Sequence, residues 1–228
     1  RFKLVLCGRR WGKSVAALIA AVKGHGSYRG ERIGAADGGN IAWLGLTTKQ
    51  ATKNWRQLKR STKGIWTEKS EVDREIWLPG GGHISVWSAQ EPDNIRGDGL
   101  DGVVLDEAAF MKPMLWTHVI RPALSDTGGW AFFPTTPNGA NWLKDYFDGV
   151  QSGRLEGTCW QLPSWDNPHI PISEFKEALL QLGPVAFRQE YGAEFVQSEG
   201  CEWPADYFGE SIWYEGEPPA DHDCRVVS

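Results

Sequence analysis

The sequence predicts an α/β fold in which a mainly parallel central sheet is flanked by helices. Short apolar segments with the character of buried strands alternate along the chain with segments of helical periodicity. Turns rich in glycine and proline separate them. Such alternation is typical of βαβ units and therefore of parallel sheets. Hydrophobic residues make up 41% of the 228 residues, which is enough for a sizeable core.

The individual elements follow from local composition. Runs of apolar and β-branched residues predict strands at residues 2–6, 41–46, 75–78, 83–87, 100–105 and 130–133. The Pro-Gly-Gly-Gly turn at residues 79–82 pairs the third and fourth of these as a hairpin. Helical periodicity and composition predict helices at residues 14–23, 48–62, 113–124, 142–147 and 173–182, with a helical turn at 184–191. The glycine-rich residues 24–40 predict a loop or small insertion.

Composition narrows the class of protein. The sequence has no uninterrupted apolar run of about 18 residues, so no membrane span is expected. The four cysteines lack metal-ligand spacing, which favours reduced thiols in an intracellular protein. The net charge of −5 is misleading, because residues 199–228 carry eight acids against one arginine. The remaining chain has a slight positive excess, so overall acidity does not argue against a nucleic-acid partner.

The strongest functional signal is a phosphate-binding loop between the first predicted strand and helix. Its sequence, residues 7–14, is CGRRWGKS. Such a loop directs backbone N–H groups and a helix N-terminus at phosphate oxygens. Lys13 would contact the β- and γ-phosphates, and the Ser14 hydroxyl would bind Mg²⁺. The candidate ATP-binding residues are Gly8, Arg9, Arg10, Trp11, Gly12, Lys13 and Ser14.

This loop departs from the usual spacing, because Cys7 stands where the first glycine is expected and Gly8 follows one residue later. A chance Gly-Lys-Ser in a turn is the alternative. A second motif supports the nucleotide interpretation: residues 102–107, GVVLDE, form an apolar strand that ends in adjacent carboxylates. Asp106 can hold Mg²⁺ and Glu107 can polarise the attacking water, although acidic residues also occur at solvated strand ends. Together the two motifs predict a Mg²⁺-dependent P-loop ATPase.

Phosphoryl transfer also needs positive charge near the γ-phosphate. Arg9 and Arg10 lie within the loop, and Arg96 lies ten residues before Asp106. Each of the three is alternatively a surface arginine on a solvated turn.

The ordered set of motifs resembles the ATPase domain of tailed-phage terminase large subunits. The resemblance rests on the loop at residues 7–14, LTTKQA at 46–51, IRG at 95–97, VLDEAAF at 104–110, PTTP at 134–137, LGP at 182–184, AFRQEY at 186–191 and EF at 194–195. The deviant phosphate loop is itself typical of that family. The resemblance implies that Lys13 and Ser14 hold the phosphates and Mg²⁺, that Asp106 belongs to the metal shell and that Glu107 is the catalytic base.

The same resemblance implies roles for four other residues. Arg9 matches an arginine that acts in cis, and Arg96 matches one that reaches in trans into a neighbouring subunit's site. Thr135 and Thr136 fall at a motif that couples hydrolysis to movement, although Thr-Thr-Pro is equally a plain strand terminator.

The family also implies a domain plan: a P-loop core at 1–139, a small helical or irregular lid or linker subdomain at 140–198, and an acidic linker at 199–228. That linker would lead to a nuclease domain absent from this chain, so no nuclease activity is expected.

The implied function is ATP hydrolysis that drives double-stranded DNA into a procapsid. The implied partners are the portal protein, the terminase small subunit and further copies of the chain in a ring. The implied compartment is the cytoplasm of the infected cell. Two alternatives stay open: a helicase-like DNA-dependent ATPase, and a nucleotide-binding scaffold that hydrolyses nothing.

A basic stripe follows one side of the predicted helix 48–62. It comprises Lys49, Lys53, Arg56, Arg60 and Lys63. These residues recur every three or four positions, so they share one helix face, whereas Ala51, Trp55 and Leu58 would pack on the sheet. One interpretation is contact with DNA phosphates, which is independent of base sequence and sensitive to salt. The other is an ordinary solvated helix face.

Overall fold

The computed structural model describes residues 1–24, 33–95 and 99–196. The strands are β1 (Phe2–Cys7), β2 (Asn40–Gly45), β3 (Glu68–Ser70), β4 (Glu75–Trp77), β5 (His83–Ser88), β6 (Gly102–Leu105), β7 (Trp130–Thr135) and β8 (Thr158–Leu162). The α-helices are α1 (Lys13–Lys23), α2 (Thr48–Ser61), α3 (Arg121–Ala123), α4 (Trp142–Gln151) and α5 (Ile172–Glu190).

All eight strands form one sheet in the order β3-β4-β5-β2-β6-β7-β1-β8. Six neighbouring strands run parallel to one another: β5, β2, β6, β7, β1 and β8. β3 and β4 are antiparallel additions at one edge. The predicted hairpin is therefore confirmed, and so is the mainly parallel α/β fold. The central strands are nearly continuous apolar runs because a parallel sheet is covered on both faces.

Two buried clusters cover the two faces of this sheet. Leu4 and Leu6 of β1 belong to one cluster, and Val5 and Cys7 belong to the other. This division follows from the alternation of side chains along a strand. Burial raises the pKa of the Cys7 thiol to about 12, so Cys7 acts as a small core residue and not as a nucleophile.

Several local predictions differ from the structure. The helix predicted at 113–124 is a π-helical segment over Leu115–Ile120 that continues into α3. Pro122 has no N–H, and its ring would clash with the carbonyl four residues earlier, so a regular α-helical ladder is interrupted there. The predicted helix 173–182 and turn 184–191 form α5, which breaks at Gly183 with φ of 74°. Strands β3 and β8 have no counterpart among the predicted elements.

The described residues cover most of the first of the expected domains and nearly all of the second. Arg1–Val196 form one compact unit. Within it, β8 pairs with β1, so the segment 140–198 contributes a strand to the central sheet. The boundary at residue 139 stays a prediction, and residues 199–228 lie outside the described part. None of the described helices has the length and apolar character needed to cross a membrane.

The topology brings the carboxyl ends of several strands to one edge of the sheet. Leu6 of β1 is in register with Thr135 of β7, and Leu44 of β2 is in register with Leu105 of β6. The residues that follow these strands are therefore neighbours. In open parallel sheets, ligands bind at this edge.

Candidate active site

The phosphate-binding loop connects β1 to α1 at the carboxyl edge of the sheet. Gly12 precedes the helix with φ of 116°, a left-handed conformation that glycine adopts without steric cost. Arg10 is also left-handed, with φ of 58°. Non-glycine residues rarely adopt this conformation, and functional sites are where such backbone strain concentrates. The free N–H groups at the start of α1 face the same edge and suit a phosphate.

Residues distant in sequence hold this loop in place. The Gly8 N–H donates to the Leu162 carbonyl at 3.0 Å, at the end of β8. The Ser164 hydroxyl donates to the Arg9 carbonyl at 2.7 Å, and the Asn167 amide donates to the Arg10 carbonyl at 2.7 Å. The loop is therefore fixed by the segment between β8 and α5.

We expect Gly8→Ala to destabilise the protein by about 1–3 kcal/mol, the usual cost of overpacking. A Cβ at Gly8 would lie 2.3 Å from Ser164 Oγ and 2.4 Å from the Tyr191 carbonyl oxygen, so Ser164 and the backbone at Tyr191 must move. Urea unfolding measures the change. Gly99→Ala is the control, because its Cβ would have its nearest neighbour, a Thr127 methyl group, at 3.7 Å. Equal stability of both variants would contradict this account of the loop.

Lys13, Glu107 and Thr136 meet above the loop. Lys13 Nζ lies 3.2 Å from Glu107 Oε1 and also donates to the Thr136 hydroxyl. Glu107 Oε2 accepts the Thr136 backbone N–H at 3.2 Å and the Thr135 hydroxyl at 3.4 Å. Glu107 itself has a left-handed backbone, with φ of 63°. The structure thus brings the predicted phosphate lysine, catalytic base and coupling threonines into one hydrogen-bonded group.

Asp106 lies beneath this group and is only 4% exposed. The Asn54 amide donates to Asp106 Oδ2 at 3.1 Å. Burial, helped by the negative charge of Glu107, raises the pKa of Asp106 to about 6, although the Asn54 hydrogen bond and the Lys13 charge act in the opposite direction. A buried carboxylate whose charge is so poorly compensated fits a cation site.

The residues present fit Mg²⁺ bound together with a nucleotide. Asp106 and Ser14 line one cavity, and both offer the oxygen ligands that Mg²⁺ prefers. In the described part of the chain, no group of three or more histidine, cysteine or acidic side chains could hold a metal by itself. Mg²⁺ in phosphoryl-transfer sites typically uses one or two protein carboxylates and completes its shell with phosphate and water.

Two adjoining cavities provide room for a ligand. The cavity beside Asp106 and Ser14 has a volume of about 750 Å³. The second, about 660 Å³, is lined by residues that include Arg9, Arg10, Lys13, Thr136 and Tyr191. Lys53 and Glu107 line both. Volumes of this size are typical of ligand sites.

The predicted arginines differ in placement. The Arg9 side chain is 61% exposed, and its Nε lies 2.5 Å from Glu190 Oε2 at the end of α5. The Arg9 N–H also donates to the Glu190 carbonyl at 2.7 Å. Arg10 lines the second cavity beside Arg9. Arg96 lies outside the described residues, and its role stays a prediction.

The basic stripe divides into two parts. All five side chains are exposed, and Ala51, Trp55 and Leu58 are buried as predicted. Lys49, Lys53 and Arg56 line the cavity that contains Ser14 and Asp106. Arg60 is near the end of α2, and Lys63 lies beyond its last residue, Ser61. Of the five residues, only Arg60 and Lys63 do not line that cavity.

Sequence reasoning missed several residues of the site. Glu190 belongs to a quoted motif but had no assigned role, and Ser164 and Asn167 carried no motif. Asn54 and Gln57 of α2 were missed as well. For Asn54 a signal existed, because it lies on the same helix face as the apolar residues expected to pack on the sheet.

A parallel sheet with a phosphate-binding loop after β1 and adjacent carboxylates after β6 defines a P-loop nucleoside triphosphatase fold. The family model "Terminase large subunit, T4likevirus-type, N-terminal" matches residues 4–208. The chain therefore belongs to the terminase large subunit family, as the resemblance of its motifs implied.

Individual relatives agree with this assignment. The terminase large subunit of Thermus phage G20c is 35% identical over 143 residues, which cover 54% of this chain and 30% of the relative. That of Escherichia phage T5 is 31% identical over 163 residues, covering 66% and 36%. The chain thus spans about a third of the length of these curated relatives.

Solved structures of the family share the fold. The large terminase ATPase domain of Thermus phage P74-26 superposes with a TM-score of 0.66 at 26% identity, covering 86% of this chain and 88% of that one. The large terminase of another thermophilic bacteriophage, solved in complex with ADP, gives a TM-score of 0.62 at 19% identity, covering 85% and 48%. The second likeness supports the fold alone.

Proposed function

We propose that this chain is the ATPase part of a motor that drives double-stranded viral DNA into a procapsid. The observation that carries the proposal is the meeting of Lys13 and Glu107, 3.2 Å apart, above the phosphate loop and beside the buried Asp106. Membership in the terminase large subunit family supplies the biological context.

In the proposed reaction, the loop N–H groups and Lys13 bind the triphosphate of ATP. Ser14 and Asp106 would hold Mg²⁺, which neutralises charge on the phosphate oxygens. Glu107 accepts a proton from water as the water oxygen bonds to the γ-phosphorus. The bond from that phosphorus to the β–γ bridging oxygen breaks, and ADP and phosphate leave.

The contacts of Lys13 and Glu107 indicate how ATP would change the site. Lys13 is paired with Glu107, and phosphate oxygens would compete for its ammonium group. Glu107 would then be released toward water while Thr135 and Thr136 still hold its other oxygen. A change at Glu107 is thereby passed to β7, which is consistent with the coupling role proposed for the two threonines.

The remaining parts of the proposal follow from the family. Arg9 compensates charge in cis and Arg96 does so in trans, which requires a ring of subunits. The partners are double-stranded DNA, the portal protein of the procapsid and the terminase small subunit, in the cytoplasm of the infected cell.

The direct test is Mg²⁺-dependent ATP hydrolysis by this chain, measured with and without double-stranded DNA and over a range of protein concentrations. The motor proposal expects hydrolysis that depends on Lys13. It also expects the rate per subunit to rise with protein concentration, because subunits complete one another's sites. A helicase-like ATPase would instead separate strands, and a scaffold would bind nucleotide without turnover.

We expect Arg60→Glu combined with Lys63→Glu to reduce stimulation by DNA several-fold and to make its dependence on salt shallower, because fewer phosphate contacts release fewer counterions. Both side chains are exposed, and neither lines the cavity beside Asp106, so the rate without DNA should change by less than about twofold. Lys112→Glu with Lys176→Glu is the matched control, because these lysines are exposed and the change in charge is the same. Unchanged stimulation in the first variant would leave the basic stripe as an ordinary solvated face.

A further inference from the structure

We infer that helix α2 sets the geometry of the metal side of the site, with Asn54 and Gln57 as its positioning residues. The inference rests on the proposed function, because it assigns these two amides to the Mg²⁺–nucleotide complex. Neither residue belongs to the phosphate loop or to the acidic strand end.

Asn54 acts on the carboxylate. Asn54 is 3% exposed, and its side-chain amide donates to Asp106 Oδ2 at 3.1 Å. A buried carboxylate with one oxygen engaged in this way has a fixed rotation about its last bond. The other oxygen, Oδ1, is then presented in one orientation. Amide hydrogen bonds of this kind orient metal ligands throughout proteins.

Gln57 acts on the phosphate-loop helix. Its Nε2 donates to the Ser14 carbonyl oxygen at 3.1 Å, in the first turn of α1. A backbone carbonyl has two lone pairs, so this bond adds to the helix ladder without replacing part of it. It fixes the backbone of the residue whose hydroxyl is proposed to bind Mg²⁺. The two amides are three residues apart and therefore share one face of α2.

Helix α2 is itself held firmly against the sheet, which makes it a suitable support. The Thr47 hydroxyl caps its N-terminus by accepting the Gln50 N–H at 3.2 Å. Trp55 and Leu58 are buried beneath it. A Cβ at Gly45 would lie 2.5 Å from the Ala51 nitrogen, so the helix approaches β2 as closely as glycine allows. One rigid helix thus contacts both proposed metal-binding residues, which otherwise come from separate elements, α1 and the end of β6.

The test measures binding and does not depend on turnover. The affinity of a fluorescent, non-hydrolysable ATP analogue is determined at increasing Mg²⁺ concentrations. Variants are Asn54→Ala and Gln57→Ala. Ser61→Ala is the matched control, because Ser61 lies in the same helix but is exposed and does not line that cavity.

For Asn54→Ala we expect the Mg²⁺ concentration that gives half of the gain in affinity to rise about tenfold or more. For Gln57→Ala we expect a smaller rise, of about threefold, because the backbone of α1 keeps its own hydrogen bonds. Affinity measured without Mg²⁺ should stay within about twofold of wild type, since neither substitution alters the Lys13 side chain or the backbone N–H groups of the loop. Ser61→Ala should match wild type in both measurements.

The inference is overturned if folded Asn54→Ala shows the Mg²⁺ dependence of wild type, or if Ser61→Ala shifts as far. Circular dichroism and thermal unfolding establish folding. Should Asn54→Ala not fold, Gln57→Ala decides, since this side chain is only partly buried, and an unshifted Mg²⁺ dependence overturns the inference. A wild-type chain that binds no nucleotide would instead overturn the proposed function itself.

Discussion

Replacement of Glu107 by glutamine is expected to lower the rate of ATP hydrolysis by about 100- to 10,000-fold, the usual contribution of a general base. Glutamine keeps the shape of the side chain, and its oxygen can still accept the Thr136 N–H. It cannot accept a proton from the attacking water. The fold and the loop should therefore persist while the chemical step is lost.

Nucleotide affinity is the second measurement in this experiment. The variant removes the charge that pairs with Lys13 at 3.2 Å, which leaves the ammonium group free for phosphate oxygens. We expect the affinity for ATP to be retained or increased.

Glu174→Gln is the matched control, because Glu174 lines the second cavity and its carboxylate forms none of the described contacts with Lys13. Hydrolysis that is unchanged in Glu107→Gln would remove Glu107 as the base and favour the scaffold alternative.

The sequence predicts the sheet best where its strands are buried on both faces. β6 is a continuous apolar run and β7 begins with one, and such runs are recognisable without any knowledge of their neighbours. β3 is a three-residue edge strand, Glu-Lys-Ser, and β8 contains exposed and half-buried residues but no buried one. Their strand conformation depends on pairing with β4 and β1, which local composition does not reveal.

The site shows the same division. Two parts of the site are predictable, the loop at residues 7–14 and the pair Asp106 and Glu107. Each lies in a contiguous segment whose residue types indicate its chemistry. Glu190 meets Arg9 across 181 positions of sequence, and Asn167 meets Arg10 across 157. A neutral amide has no distinctive pattern, and its function depends on which backbone or carboxylate group the fold places opposite it.

Replacement of Asp106 by asparagine is expected to stabilise the metal-free protein at pH 8 by about 3 kcal/mol while abolishing Mg²⁺-dependent hydrolysis. Burial raises the pKa of this carboxyl group from 3.8 to about 6, so the folded protein disfavours the ionised form. This difference in pKa corresponds to about 3 kcal/mol. Asparagine is neutral and can still accept the Asn54 hydrogen bond through its own oxygen, so the cost disappears with the charge.

The size of this gain depends on pH. Because the folded-state pKa is raised, the wild type bears almost none of the cost below about pH 3.8 and the whole cost above about pH 6. The gain from Asp106→Asn should therefore be about half as large at pH 5 and nearly vanish below about pH 3.8.

In thermal unfolding with EDTA, the midpoint at pH 8 should rise by about 6–12 °C. Asp37→Asn, at an exposed carboxylate, should give no comparable rise. A lower midpoint for Asp106→Asn at pH 8 would mean that the Asp106 charge is compensated in the metal-free protein, and that Mg²⁺ is not what relieves it.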